Sequence, residues 1–281
     1  MLESRFGLSR LIRKAPLVGA FLLPAFLYLP AWADCPAPTP TPLAQVVKVV
    51  DGDTLRLVDG RSVRLIGLNT PELAGKGRTD EPGAVVARRR LQALVDQAGG
   101  AVAVVPGRQP RDHYGRTLAN VYTPDGRNLE ARMLEEGLGY QVVVVPNDAL
   151  SQCHALAEQR ARQAGIGVWR AFSPRPATSV DRGGFAVVAG RVLSVQRNRG
   201  GVWMNLDGGL VLHVAKVNEE AFDLGALQAM RGQPVEARGW ITDRGRRSGE
   251  AANRARWVLR LTAPAMLQGL SSAPKVVGAE P

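Results

Sequence analysis

From Gln45 onward, apolar and polar residues alternate in short runs, and the breaks between runs are rich in Gly and Asp. QVVKVV is strand-like, DGDT is a turn with two acidic side chains, LRLV alternates, DGR turns, and SVRLIGL alternates again. A period of two with turn residues at each break predicts a meander of short strands. A helix is expected from about Glu81 to Ala98, with Pro82 in its first turn and Gly99-Gly100 as its stop. AVAVV (101–105) and RTLANVY (116–122) read as strands. LEARMLEE reads as a short helix that Asn128 caps and Gly137 stops, and YQVVVV as extended chain. A third helix over 149–164 would set Cys153, Leu156, Ala157 and Ala161 at helical spacing. Five strands with helices between and after them predict an OB-like five-stranded barrel with three helices.

A second run of strand candidates follows: FAVVAGRVLSV, GGVWMNL, GLVLHVA, QPVEARGWI and ARWVLRLT, with a short helix near 219–230. Gly turns between them predict a second small, all-β, OB-like barrel, so the fold class is β-rich α+β. The expected organisation is a signal peptide over 1–33, a Pro-rich linker over 34–44 and the first barrel over 45–171. A linker over 172–184, the second barrel over 185–267 and a disordered tail over 268–281 complete it. Trp203, Trp240 and Trp257 read as core residues rather than as stacking platforms.

The N-terminus changes the expected compartment. Arg5, Arg10, Arg13 and Lys14 precede an apolar run over 15–31, and Ala31-Trp32-Ala33 fits a small-x-small cleavage site. Pro16, Pro24 and Pro30 interrupt the run, which is short for a membrane span. Cleavage after Ala33 is expected, leaving a periplasmic or secreted chain without a membrane anchor. In an oxidising compartment the pair Cys35 and Cys153 suggests one disulfide, against the alternative of two free thiols.

The formal net charge is +11. Residues 182–260 hold 13 Lys/Arg against 7 Asp/Glu, so the second unit is basic. A basic surface attracts polyanions, though it serves solubility equally well.

Three short motifs carry the chemistry: Asp51-Gly-Asp-Thr54, Val63-Arg-Leu-Ile-Gly-Leu-Asn-Thr-Pro-Glu72 and Asp112-His-Tyr-Gly-Arg116. His113, His154 and His213 lack clustered metal spacing, which argues against zinc. Carboxylates and a carbonyl-rich turn suit a hard cation, and arginine forks suit phosphate oxygens. A straight strand from Arg64 to Thr70 would span about 20 Å, so both ends meet at one phosphate only if the chain bends, and Gly67 is the place for it. Singly, each motif has a plainer reading: Asp51 and Asp53 as a turn, Arg116 as a surface strand residue, Glu72 as a helix cap.

In order and spacing, the three motifs resemble those of the thermonuclease, or staphylococcal-nuclease-like, family over about residues 45–171. The resemblance implies an OB-like barrel and Ca²⁺-dependent phosphodiester hydrolysis of DNA and/or RNA, leaving 3′-phosphate ends. It makes Asp53 a calcium carboxylate, Thr70 a carbonyl ligand, Glu72 the general base, Arg64 and Arg116 the phosphate clamp, and Tyr114 an aromatic beside the nucleotide. Asn69 stands where an aspartate ligates calcium in the best-known member. Its amide oxygen can still ligate, with weaker binding expected. YQVVVVP offers valines where that member has base-contacting tyrosines. The expectation is a monomeric, exported nuclease. The alternatives are a nucleic-acid-binding protein with a weakened or inactive nuclease site, and an envelope scaffold joined through the C-terminal unit.

Overall fold

A computed structural model describes residues 35–38, 41–75, 79–245 and 255–270. The signal-peptide segment and most of the expected tail lie outside these residues. Among the described residues no helix is long and apolar enough to cross a membrane.

The order is β1 (Leu43–Val49), β2 (Thr54–Leu57), β3 (Ser62–Leu65), β4 (Leu68–Asn69), α1 (Ala84–Gln97), β5 (Ala101–Arg111), β6 (Thr117–Tyr122), α2 (Leu129–Glu135), β7 (Tyr140–Gln141) and α3 (Ser151–Ala164). Then come β8 (Arg175–Pro176), β9 (Gly184–Asn198), β10 (Gly201–Leu206), β11 (Leu210–Ala215), α4 (Leu224–Ala229), β12 (Pro234–Asp243), β13 (Trp257–Leu261) and β14 (Leu267–Gly269).

The first five-stranded barrel closes in the order β1-β2-β3-β6-β5, with β3 and β6 parallel. Its inward positions are the alternating ones: Leu55 and Leu57, Val63 and Leu65, Val102 and Val104, Ala119 and Val121. Each buried Leu contributes about 1.5–3 kcal/mol, and a one-residue slip would turn the whole set outward. Leu91 of α1 and Met133 of α2 pack on the same core. α2 starts as expected, with the Asn128 side chain accepting from Ala131 N–H at 2.7 Å.

The second barrel closes through pairings of β9 with β10, β10 with β11, β11 with β13, β13 with β12 and β12 with β9. Counted from its first strand, the order is again 1-2-3-5-4 with strands 3 and 5 parallel, and a helical segment again lies between strands 3 and 4. The two barrels thus share one topology.

Several expectations are corrected. The 62–68 run is two strands, because Ile66 and Gly67 form a turn with Gly67 at φ 84°. Only Tyr140 and Gln141 of YQVVVV form a strand, while Val142 and Val143 are buried in irregular chain. On α3, Leu156 is exposed, whereas His154 and Glu158 are buried. The 172–184 segment carries β8 and buries Ala177 in the second core, so it belongs to that barrel's packing. Residues 267–269, read partly as tail, form β14 against β12. Of the three tryptophans, only Trp257 is in the core; Trp203 and Trp240 lie on the outer face.

Polar contacts join the barrels. Arg238 of β12 is 6% exposed and reaches Glu158 of α3 at 2.6 and 2.7 Å. Arg162 of α3 forks onto Glu236 at 2.6 and 2.9 Å. Tyr140, Trp169 and Phe172 meet Phe185 and Trp240 beside these pairs. Buried acids and arginines tolerate burial only as pairs, so the two barrels are held in one register. The expected Cys35–Cys153 disulfide is present, with Cα atoms 5.7 Å apart and a sequence separation of 118.

Candidate active site

Gly52 starts the site. A Cβ there would lie 2.6 Å from Thr70 Oγ1 and 2.7 Å from Ala87 Cβ, so only glycine lets the 51–53 turn press against Thr70 and α1. Asp51 Oδ1 accepts from Asp53 N–H at 3.0 Å, which shapes the turn. Asp53 is 3% exposed. Its Oδ2 accepts from Thr70 N–H at 2.9 Å and from Thr70 Oγ1 at 3.2 Å, and its Oδ1 accepts from Thr54 Oγ1 at 3.2 Å. These bonds tie the β1–β2 turn to the end of β4.

Arg64 stands opposite Thr54 in the β2–β3 ladder and faces outward, since Val63 and Leu65 face the core. Its Nη1 lies 3.1 Å from Asp53 Oδ1 and donates to the carbonyls of Leu65 and Leu68 at 3.0 and 2.8 Å. Its Nη2 donates to Asn69 Oδ1 at 3.1 Å. The chain therefore folds around the guanidinium, which explains how a strand-borne arginine and the Asn-Thr-Pro-Glu turn reach one place. Gly67 supplies the left-handed step, and His154 packs where a Cβ would otherwise sit.

A buried network supports this loop from beneath. Glu130 accepts from Val121 N–H at 2.9 Å and Asn128 Nδ2 at 2.7 Å. His154 Nε2 lies 3.1 Å from Asn128 Oδ1, an acceptor, so this nitrogen carries the proton. Burial holds the His154 imidazole down at about 4 and pushes the Glu130 carboxyl up to about 8. Neither residue was assigned a role from sequence. His154 carried no signal, because the helical face it occupies was assigned to Leu156 instead.

Glu72 sits at the exposed rim. Glu81 holds its backbone in both directions, accepting from Glu72 N–H and donating its own N–H to Glu72 O, both at 2.9 Å. Crowding by the protein first, then the charges of Asp53 and Asp51, raise the Glu72 carboxyl above its ordinary value. Burial and then the Asp53 charge push Asp51 up to about 6. Among the described residues, these three acids thus share one region with the Arg64 cation. Asp51 belongs to the DGDT motif but was assigned no individual role from sequence, where the two acids of that motif were the available signal.

Arg116 and Tyr114 form a separate cluster. Asp112 caps its own turn by accepting from Tyr114 and Arg116 N–H at 2.9 Å, and Arg116 Nε donates to Asp112 Oδ2 at 2.7 Å. The Arg116 guanidinium lies 5.5 Å from the centroid of the exposed Tyr114 ring. Arg116 immediately precedes β6, whose Leu118 pairs with Arg64, so both arginines project from the outer side of the β3–β6 ladder. The structure brings Asp53, Arg64, Asn69 and Thr70 into direct contact. Glu72 joins them through charge, and Arg116 through the ladder.

The donor set fits a hard cation: the Asp51 and Asp53 carboxylates, the Thr70 carbonyl and the Asn69 amide oxygen are all oxygen donors. Burial first, and neighbouring negative charge after it, raise the carboxyls of Asp51 and Glu72, and a bound cation would offset that charge. Cys35, Cys153 and His154 also cluster, but the two sulfurs are bonded to each other, so no thiolate remains for a metal.

A family model described as Staphylococcal nuclease homologue matches residues 62–171. That span holds Arg64, Asn69, Thr70, Glu72, Tyr114 and Arg116 and begins after Asp51 and Asp53. A thermonuclease of Staphylococcus intermedius is 32% identical over 128 residues, covering 44% of this chain and 74% of the relative. An uncharacterized endonuclease of Escherichia coli O157:H7 is 28% identical over 138 residues, covering 47% of this chain and 80% of the relative.

Proposed function

The chain belongs to the staphylococcal nuclease family, and from that premise we propose that it is an exported, calcium-dependent nuclease acting on DNA and/or RNA. The observation that supports this best is the contact of Asp53, Arg64, Asn69 and Thr70 beside the raised carboxyl of Glu72.

Each residue has a defined task in phosphodiester hydrolysis. Glu72 accepts a proton from the attacking water, and its raised pKa brings it nearer to a working pH. Arg64 has Nε and part of Nη2 left for a phosphate oxygen after its bonds to Asp53, Asn69 and the loop carbonyls. Arg116 is held by Asp112 through Nε, which leaves its Nη groups for a second oxygen. Together the two forks stabilise the charge that builds on the phosphoryl oxygens as the P–O bond breaks. Asp51, Asp53, the Thr70 carbonyl and the Asn69 amide oxygen would hold calcium, which when bound supplies further positive charge at the phosphate. Tyr114 offers an exposed ring to the adjoining nucleotide.

The test is incubation of the mature chain with single- and double-stranded DNA and RNA, in calcium or in a chelator. Cleavage in calcium alone is expected, and Glu72→Gln should lower it about 10²–10⁴-fold with an unchanged melt. Retained binding with no cleavage under calcium would favour a nucleic-acid-binding protein. Detection of the chain in periplasmic or culture fractions, starting at Asp34, tests export.

A further inference from the structure

The outer face of the second barrel carries an aromatic and cationic row that its core does not require. Trp203 of β10 pairs with His213 of β11, and His213 pairs with Arg260 of β13. Their neighbours Met204, Leu212 and Leu259 fill the core, so alternation turns the row outward. The Trp203 and His213 rings stack, with centroids 3.8 Å apart and planes 19° from parallel. Trp203 Nε1 donates to Asn198 Oδ1 at 3.1 Å, and His213 Nε2 donates to Gly200 O at 3.0 Å. The pair is therefore fixed in place by the β9–β10 turn.

Cations surround it. The Arg244 guanidinium lies 5.3 Å from the Trp203 ring centroid. Arg260 is exposed on β13 and Arg199 is exposed in the β9–β10 turn. Among the ion pairs of the described residues, Arg199, Arg244 and Arg260 have no acidic partner, whereas Arg197 and Arg256 are held by Glu219 and Asp243. Burial first, and the Arg244 and Arg260 charges after it, hold the His213 imidazole below its ordinary value.

A fixed ring pair with arginines at its edge that no acid among the described residues neutralises is chemistry for stacking a base while the cations follow its phosphates. Trp203 and His213 fall on strands 2 and 3 of an OB-ordered barrel, beside the 1–2 connection, on the face where such barrels take oligonucleotides. Duplex bases are already stacked on each other, so the half-buried Trp203 ring, backed by the buried His213 ring, suits a single strand.

We infer that the second barrel is a single-stranded nucleic-acid-binding module, with Trp203, backed by His213, as its stacking platform and Arg199, Arg244 and Arg260 as its phosphate contacts. The ligand class rests on the nuclease reading, and the module would hold the strand that the first barrel cuts.

The test is fluorescence anisotropy of a labelled oligothymidylate of about 20 nucleotides with the full mature chain in chelator, which stops calcium-dependent cleavage. Binding should weaken with salt, and Trp203→Ala should weaken it about tenfold. Trp203→Phe should restore most of the affinity. Arg244→Ala with Arg260→Ala should reduce the slope of log affinity against log salt by about 1.4 for single-stranded ligand. Wild-type affinity and salt slope in both the Trp203→Ala and the double arginine variant would overturn the module. So would equal binding of a sulfated polysaccharide with no response to Trp203→Ala. Arg260 is exposed, so the double variant reports even if Trp203→Ala proves unstable. Binding through Trp203 by a chain that cleaves nothing in calcium would sink the nuclease reading alone.

Discussion

The two barrels share strand order, the parallel 3/5 pairing and a helical segment between strands 3 and 4, yet they handle charge in opposite ways. In the first, the strand 1–2 turn is Asp51-Gly52-Asp53, and the carboxyls of Asp51 and Glu72 are forced upward. In the second, that turn is Asn198-Arg199-Gly200, and the acids nearby are neutralised in pairs. Arg197 and Lys216 hold the Glu219 carboxyl down at about 2, and Arg256 holds Asp243 down at about 2. One scaffold thus presents surplus negative charge at one end of the chain and surplus arginine at the other. Topology fixes where the loops go, and loop chemistry decides whether they attract a cation or a polyanion.

Arg64→Ala should give the largest effect on that contrast. It removes the cation that Asp53 contacts in the acidic site and a phosphate contact, so cleavage should fall about 10²–10³-fold. Oligothymidylate binding in chelator, which the second barrel would carry, should change far less. Comparable losses in both assays would mean that the barrels do not divide these tasks.

Arg238→Ala strikes the junction between them. It leaves Glu158 and Glu236 buried without their shared partner, at a cost of about 3–5 kcal/mol. A thermal melt lowered by less than a few degrees would show that the pair is dispensable to the junction.

The next effect is a pH dependence. The Glu130 carboxyl is raised to about 8 from an ordinary 4.5. The folded chain keeps a proton that the unfolded chain loses, so the stability linked to this group is full below pH 4.5 and is lost as pH rises through 8. Glu130→Gln cannot ionise, and its melting temperature should fall less between pH 5 and pH 8 than that of the wild type. The difference should be on the order of a few kcal/mol. Parallel curves would place an ionised Glu130 in the fold.

Asn69→Asp should give the smallest change. A third carboxylate at the metal donors should tighten calcium binding several-fold by calorimetry. Unchanged affinity would mean that the side chain serves Arg64 and not the metal.

Much of the fold was legible because its signals are local. Alternation, Gly turns and the Asn128 cap each act within a few residues, and they located the strands of both barrels and all three major helices. The site residues were legible through three ordered motifs that resemble a known family, and Asp53, Arg64, Asn69 and Thr70 do meet. His154 was not legible, because its partner Asn128 lies 26 residues away in sequence, and Glu130 was not, because its role depends on burial beneath the site loop. The same holds for Arg238 and Glu158, which are 80 residues apart.

By itself, the sequence determined the strand periodicity, the turn residues and the chemical inventory of acids and arginines. Only the tertiary structure decided that VRLIGLNTPE folds around its own arginine, that Asp51 shares its negative charge with Asp53, and that Trp203 faces outward onto His213. The physical reason is range. Propensity and alternation act along the chain, whereas burial, charge coupling and ring stacking depend on which distant segments the barrels bring together.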